Sequence, residues 1–331
     1  MQVFSVLKFK SLVFKLCVIA GVSLVSYNVF AKEKQTAVEL YGEISVDNGV
    51  LLDQNNNPVQ LRGMSLFWSQ WGGQFYNKSV VKTLTDDWNI SVIRVAIAAK
   101  KGGYNTNPQG ELKKVDVIVK AAVENGIYVI IDWHSHDAQN DIKSAIEFFE
   151  TVAKKYGHLP NVIYEIYNEP DYESWNNDIK PYAETVIQKI RAIDDNNLII
   201  VGTPTWSQRV DQAADNPLEG KNIAYTIHFY AGTHSQEIRD NVIYALDKGL
   251  AIFSTEWGMS KASGNGGVFK SETKKWIDFF DAHNISWLNW SIINKKESSA
   301  ALKPSASHIA NWTDRDLTKS GKWVKKRLLS Y

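Results

Sequence analysis

Cysteine is almost missing from this chain: Cys17 is the only one in 331 residues. A disulfide framework and a thiolate zinc finger are therefore excluded. Charge of one sign is missing too. Lys and Arg number 37 against 36 Asp and Glu, a formal net charge of +1, which removes the basic footprint of a general nucleic-acid binder. The apolar run over residues 16–29 has 14 residues, short of the roughly 20 that a spanning helix needs. No Pro/Thr/Ser-rich linker divides the chain, and no glycine-rich phosphate fingerprint follows the first strand, which speaks against a dinucleotide-binding open sheet. What is present is aromatic: 12 Trp, 14 Tyr and 13 Phe. Many belong in a core, but so many Trp also suit a surface that stacks on sugar rings.

Residues 1–31 have the order of a secretory signal. Lys8, Lys10 and Lys15 precede the apolar run, and Val29-Phe30-Ala31 offers a small-residue exit before Lys32 and Glu33. Cleavage after Ala31 would remove 31 of 331 residues and leave 300 without cysteine. Three of the 37 basic residues leave with it, so 34 remain against 36 acids, a charge of −2. Export to the medium or the periplasm is the expectation.

Residues 43–46 and 50–53 have the pattern of a hairpin around Asp47-Asn48-Gly49. Short β-branched runs then alternate with amphipathic ones. Strands are expected over 61–67, 91–97, 128–134, 162–169, 198–204, 223–230, 251–258 and 286–292. Helices are expected over 112–125, 142–156, 179–193, 238–248 and 272–283, with a last one over 323–331. Eight cycles imply a single α/β domain over residues 32–331, a closed (β/α)8 barrel behind a short N-terminal hairpin. A doubly wound open sheet is the alternative.

In such a barrel the reactive side chains stand at the C-terminal ends of the strands. Those ends read Arg94, Asp132-Trp133-His134, Asn168-Glu169-Pro170, His228-Phe229-Tyr230, Glu256-Trp257-Gly258 and Trp287 to Trp290. Glu169 and Glu256 form a carboxylate pair of the kind that glycoside hydrolysis requires, one protonated and one ionised. Arg94 is a candidate to hold an ionised Glu by two parallel hydrogen bonds. His134 and His228 are candidates to bond sugar hydroxyls or tune the acid, and Tyr230 shares the strand face of His228. Glu165, four residues before Glu169, is expected deeper in the barrel with a structural role. A metal site from Asp132, His134, His136, Asp137, His228 and His234 is the competing chemistry. Its pattern is short and lacks helical His spacing, so the expectation is an enzyme without metal or cofactor.

At these positions the chain resembles glycoside hydrolase family 5, in its bacterial endo-β-1,4-glucanase branch. The resemblance rests on Asn168-Glu169-Pro170, Asp132-Trp133-His134, His228-Phe229-Tyr230-Ala231-Gly232-Thr233-His234, Thr255-Glu256-Trp257-Gly258, and Trp287 to Ser291 continued by Lys295 to Leu302. It implies that Glu169 is the acid/base and Glu256 the nucleophile of a retaining double displacement on β-1,4-glucan. It implies support from Arg94, His134, Asn168, His228 and Tyr230, with Asn168 on the sugar 2-hydroxyl, Tyr230 and Arg94 positioning Glu256, and His228 near Glu169. Trp290 becomes the platform at the reacting sugar, Trp71 and Trp206 the flanking stackers, and Lys295 and Glu297 polar contacts to more distant sugars. Phe67 and Ala98 depart from the His and Tyr of close relatives, at positions expected to line the glycone side. No cellulose-binding module is legible, so soluble or amorphous glucan is the expected partner, met by a monomer with no nucleic-acid or membrane partner after signal cleavage. The alternatives are the same chemistry on mannan, xyloglucan or mixed-linkage glucan, and a carbohydrate-binding barrel that has lost turnover.

Overall fold

The computed structural model describes residues 35–331; the expected signal segment, residues 1–31, lies outside them. The hairpin strands β1 (Ser45–Asp47) and β2 (Val50–Leu52) pair antiparallel, with Asp47 opposite Val50. Asn48 and Gly49 form the two-residue turn at φ 47° and 77°. Two left-handed residues match the twist of a tight hairpin, and Asn-Gly adopts them at low cost.

Eight parallel strands follow: β3 (Arg62–Leu66), β4 (Val92–Ala98), β5 (Tyr128–His134), β6 (Val162–Glu165), β7 (Ile199–Val201), β8 (Ile223–Tyr230), β9 (Ile252–Gly258) and β10 (Ser286–Ile292). They pair in sequence order and close when β10 meets β3. The expected barrel is therefore present, and closure rules out the open sheet. Helices Pro108–Glu124, Ile142–Tyr156, Lys180–Arg191, Gln236–Asp247 and Lys270–Ala282 lie near their expected bounds. The last helix starts earlier than expected, at Lys319, because the Thr318 side chain caps it by accepting from Gly321 N–H.

Strand alternation sorts the core into two zones. On β4 and β5, Ile93, Val95, Val129, Ile131 and Trp133 face outward and pack under the helices with Val115, Ile118, Phe148 and Val152. Val92, Tyr128, Ile130, Ile163, Ile200, Ala224, Phe253 and Leu288 fill the lower barrel with Leu51 of the hairpin and Leu61. Ile44 belongs to the same cluster, so the hairpin plugs the N-terminal mouth. The C-terminal mouth is left for polar side chains. No helix among the described residues is long and apolar enough to cross a membrane.

β6 is shorter than expected. It ends at Glu165, leaving Asn168 and Glu169 in the loop beyond. The reason is where the next carbonyls find donors. Those of Asn168 and Pro170 accept from the Ser207 hydroxyl at 2.8 Å and the Trp206 N–H at 2.7 Å, not from a neighbouring strand.

Candidate active site

Above the apolar floor the inward positions turn to charge. Arg94, one residue pair above Val92, is fully buried. Its Nε and Nη2 donate to Glu165 Oε2 and Oε1 at 2.7 and 3.0 Å. Nη2 also donates to Asn168 Oδ1 at 2.7 Å and lies 3.0 Å from Asp132 Oδ2. Nη1 donates to Glu256 Oε2 at 3.2 Å. The parallel pair of bonds expected of Arg94 thus goes to Glu165, and Glu256 receives a single one. Burial opposes the charge on Arg94, but Asp132, Glu165 and Glu256 outweigh it and keep the guanidinium ionised.

Glu256 reaches the interior by a break in strand register. Thr226 pairs with Phe253, whereas His228 pairs with Glu256, so β9 carries one extra residue. Strict alternation would send Glu256 outward after an inward Thr255. The bulge turns both inward. Tyr230 then donates its O–H to Glu256 Oε1 at 2.7 Å. Burial, and then the nearby carboxylates, hold the Tyr230 phenol well above its ordinary pKa, so it remains a donor.

Glu169 stands across from it. Its Oε1 lies 2.8 Å from His228 Nδ1, and its backbone N–H donates to the Ser135 carbonyl. One oxygen of each Glu and one His228 nitrogen fall within 4.8 Å of one another. Burial raises Glu169 to about 7, against opposing pulls from His136 and Arg94. Burial followed by the charge of Glu169 raises Glu256 to about 7 as well. Such a pair shares its protons, and the partners decide who holds one. Glu256 accepts from a cation and a phenol, both of which favour its ionised form.

The proton on Glu169 follows from the bonds behind His228. Of the groups around the Thr255 hydroxyl, Thr226 Oγ1 at 2.6 Å has a hydrogen of its own to give, whereas the Glu165 carboxylate at 2.7 Å can only accept, so Thr255 donates its one hydrogen to Glu165 Oε1. At 2.9 Å from His228 Nε2 it must therefore accept. This makes His228 the Nε2–H tautomer and leaves Nδ1 as a lone pair. A lone pair 2.8 Å from a carboxyl oxygen needs the hydrogen on Glu169. Burial lowers His228 to about 4, so the ring is neutral at neutral pH. His134 is likewise held neutral by burial and by Arg94, with Nδ1 2.6 Å from Asp132 Oδ2.

The walls of the mouth are aromatic. Trp290, only 5 % exposed, stacks on His134 at 5.3 Å and 12°. Phe67 fills the gap between Trp290 (5.2 Å) and Trp71 (6.4 Å). Lys295 Nζ lies 5.5 Å above the Phe67 ring and pairs with Glu297 Oε2 at 2.6 Å. Trp71, Trp290, Lys295 and Glu297 therefore gather on one bank, beside β3 and β10. Trp206 stands on the other, lining a cavity of about 370 Å3 with Glu169, His228, Tyr230 and Glu256. Its loop is strained: Thr205, Trp206 and Ser207 all have positive φ, 59°, 54° and 55°. For a β-branched Thr this is a true outlier of the kind that clusters at functional sites.

Ala98 does not line the glycone side. It is fully buried, its carbonyl accepting from Tyr104 N–H and its methyl lying under Gly103. The Asp/His segment 132–137 does not assemble a metal cluster either. His134 turns to Asp132, His136 Nδ1 to the Glu169 carbonyl at 3.1 Å, and Asp137 to Lys100. His234 Nδ1 accepts from Tyr230 N–H at 2.9 Å. Among the described residues the convergent ligand set is Glu169, His228 and Glu256. Asp132 was weighed from sequence only as a strand-end residue and metal ligand, not as a partner of Arg94 and His134, and Thr255 only as part of its motif. The charge of Asp132 two residues before His134 was a usable signal; nothing local marks Thr255.

A family model described as Cellulase (glycosyl hydrolase family 5) matches residues 52–296. The chain belongs to glycosyl hydrolase family 5. This family 5 hydrolase is 51% identical over 301 residues to an Endoglucanase of Clostridium saccharobutylicum, covering 90% of this chain and 67% of that one. It is 51% identical over 277 residues to Endoglucanase A of Evansella cellulosilytica, 82% of this chain and 57% of the relative. Those relatives are thus longer, and the match spans about two thirds or less of them. A structure from Cytophaga hutchinsonii superposes with TM-score 0.88 at 54% identity, covering 89% of this chain and 96% of the other. The catalytic domain of a Thermobifida fusca endoglucanase, in complex with cellotetraose, does so with TM-score 0.85 at 33% identity, over 89% and 100%.

Proposed function

We propose that this family 5 enzyme is a retaining endo-β-1,4-glucanase. The observation that carries the reading is the asymmetric pair: Glu169 and Glu256 present oxygens within 4.8 Å of each other, with different partners. Retaining glycosidases place their carboxyls about 5–5.5 Å apart, and inverting ones about 6.5–9.5 Å.

Glu256, bare and fixed by Tyr230 and Arg94, attacks the anomeric carbon. The bond to the leaving sugar breaks as Glu169 passes its proton to the glycosidic oxygen. The product is a glycosyl ester of Glu256. Esterification removes the negative charge of Glu256, so the pKa of Glu169 falls. Glu169 then takes a proton from water, which attacks the ester and restores the original configuration. Asn168 contributes by orientation. Arg94 occupies its Oδ1, so its amide hydrogens are the groups left to meet the sugar 2-hydroxyl, a bond that tightens as positive charge grows. Trp290 supports the reacting sugar, Trp71 and Trp206 its neighbours, and Lys295 and Glu297 reach a more distant unit. The cellotetraose in the Thermobifida relative supports a β-1,4-glucan as the chain that fills the cleft. The order of residues 1–31 supports secretion of the barrel after cleavage.

The test is a product profile on carboxymethyl cellulose, mannan, xylan and lichenan, with the product anomer followed by NMR. β-Anomer appearing first from a cello-oligosaccharide is expected. Glu169→Gln and Glu256→Gln should each lower kcat on unactivated glucan by about 1000-fold or more, with oligosaccharide affinity kept within a few-fold. Near-normal turnover in either variant, or α-anomer first, overturns the proposal.

A further inference from the structure

Single exposed apolar side chains are common, but exposed aromatic rings that cluster beside a binding cleft point to a ligand. The two most exposed large apolar side chains among the described residues are Tyr172, at 87 %, and Trp71, at 65 %. Trp71 follows β3 and belongs to the bank just described. Tyr172 follows β6, three residues beyond Glu169.

Tyr172 does not stand alone. Its ring lies 5.8 Å from that of Trp206, at 70°. The two rings make a corner, one surface a floor and the other a wall. The segments that carry them are tied together: Trp206 N–H donates to the Pro170 carbonyl at 2.7 Å, and Ser207 Oγ to the Asn168 carbonyl at 2.8 Å. The Tyr172 loop is held from its other side. Tyr172 N–H donates to Asp171 Oδ1 at 2.8 Å, and Gln139 donates to Glu173 Oε1 at 2.6 Å. A costly exposed ring is thus kept in a fixed place beside the cavity that Trp206 shares with Glu169 and Glu256.

β3 and β7 are diametrically opposite in an eight-stranded ring closed in sequence order. A glucan that meets Trp71 on one bank and Trp206 on the other passes the two carboxyls, and Tyr172 adds a second ring to the Trp206 end at 5.8 Å. We propose that Tyr172 and Trp206 form a sugar-binding corner that takes the far leaving-group unit of a β-linked glucan chain and sets the preference for long substrates. The proposal rests on the glycosidase reading above and deepens it. An aromatic face covers the apolar C–H side of a pyranose, while the edge of a second ring and the Tyr hydroxyl remain for its rim.

The experiment uses the full enzyme with Tyr172→Ala and Tyr172→Phe, on cellohexaose and on 4-nitrophenyl β-cellobioside, whose leaving group ends close to the carboxyls. The readout is the ratio of kcat/KM for cellohexaose to that for the aryl cellobioside. Loss of one aromatic contact should lower this ratio roughly 3- to 10-fold in Tyr172→Ala. Tyr172→Phe keeps the ring and should keep the ratio within about 2-fold. Cleavage of cellopentaose in 18O-water should lose share in the registers with the longer leaving group. An unchanged ratio and unchanged registers in Tyr172→Ala would overturn the corner while leaving the glycosidase reading intact. Wild-type enzyme that cleaves neither substrate would overturn the reading beneath it.

Discussion

Replacing Thr255 by Val tests the proton arrangement directly. Valine keeps the shape and removes the hydroxyl. In the native protein that hydroxyl donates to Glu165 at 2.7 Å and accepts from His228 Nε2 at 2.9 Å. Without it, Nε2 loses its hydrogen-bond acceptor, and the Glu165 carboxylate, 4.0 Å away, is beyond hydrogen-bond reach. His228 can then donate from Nδ1 to Glu169 at 2.8 Å, which stabilises the carboxylate in place of the acid. The bias lost is one hydrogen bond, about 1 kcal/mol net. At 1.36 kcal/mol per unit, that lowers the pKa of Glu169 by about 0.5 to 1 unit. The assay is the pH dependence of kcat/KM on a soluble glucan. The alkaline limb, where Glu169 loses its proton, should move to lower pH by that amount. The acid limb, set by Glu256, should move less, because Tyr230 and Arg94 are untouched. Stability should fall by about 1–3 kcal/mol from the hydrogen-bonding groups left without a partner. Thr255→Ser keeps the hydroxyl and should keep the alkaline limb. A folded Thr255→Val enzyme with an unmoved alkaline limb would refute the tautomer argument.

The raised carboxyls also predict a stability difference with a definite sign. Glu169, the member that holds the proton, is raised by burial to about 7 when folded against an ordinary value of 4.5, so its contribution is fully present below 4.5 and is lost as pH rises through 7. Glu169→Gln carries no such loss and should gain on wild type by about 3 kcal/mol between pH 4.5 and 8, measured by urea unfolding; parallel curves would contradict the burial argument. Thr205→Gly relieves a β-branched residue held at φ 59° and should stabilise the fold by about 1 kcal/mol, provided the Trp206 platform keeps its place. Loss of stability there would show that the Thr205 side chain contributes more than its backbone costs.

The alternation of short β-branched runs with amphipathic ones determined a parallel sheet covered by helices, because such strands are buried on both faces; that the sheet closes instead of staying open was decided only where β10 pairs with β3. Residue chemistry was also legible: an Arg in an apolar strand, and two Glu at strand ends. Which way those side chains point was another matter. Strand parity sends Glu256 outward, and only the extra residue in β9, visible in its pairing with β8, turns it toward Arg94. The fork of Arg94 went to Glu165, and Ala98 vanished under the loop after β4, since both outcomes depend on neighbours remote in sequence. The tautomer of His228 is the extreme case. It is decided by a hydroxyl and a carboxylate 90 positions apart, which meet only because the barrel closes.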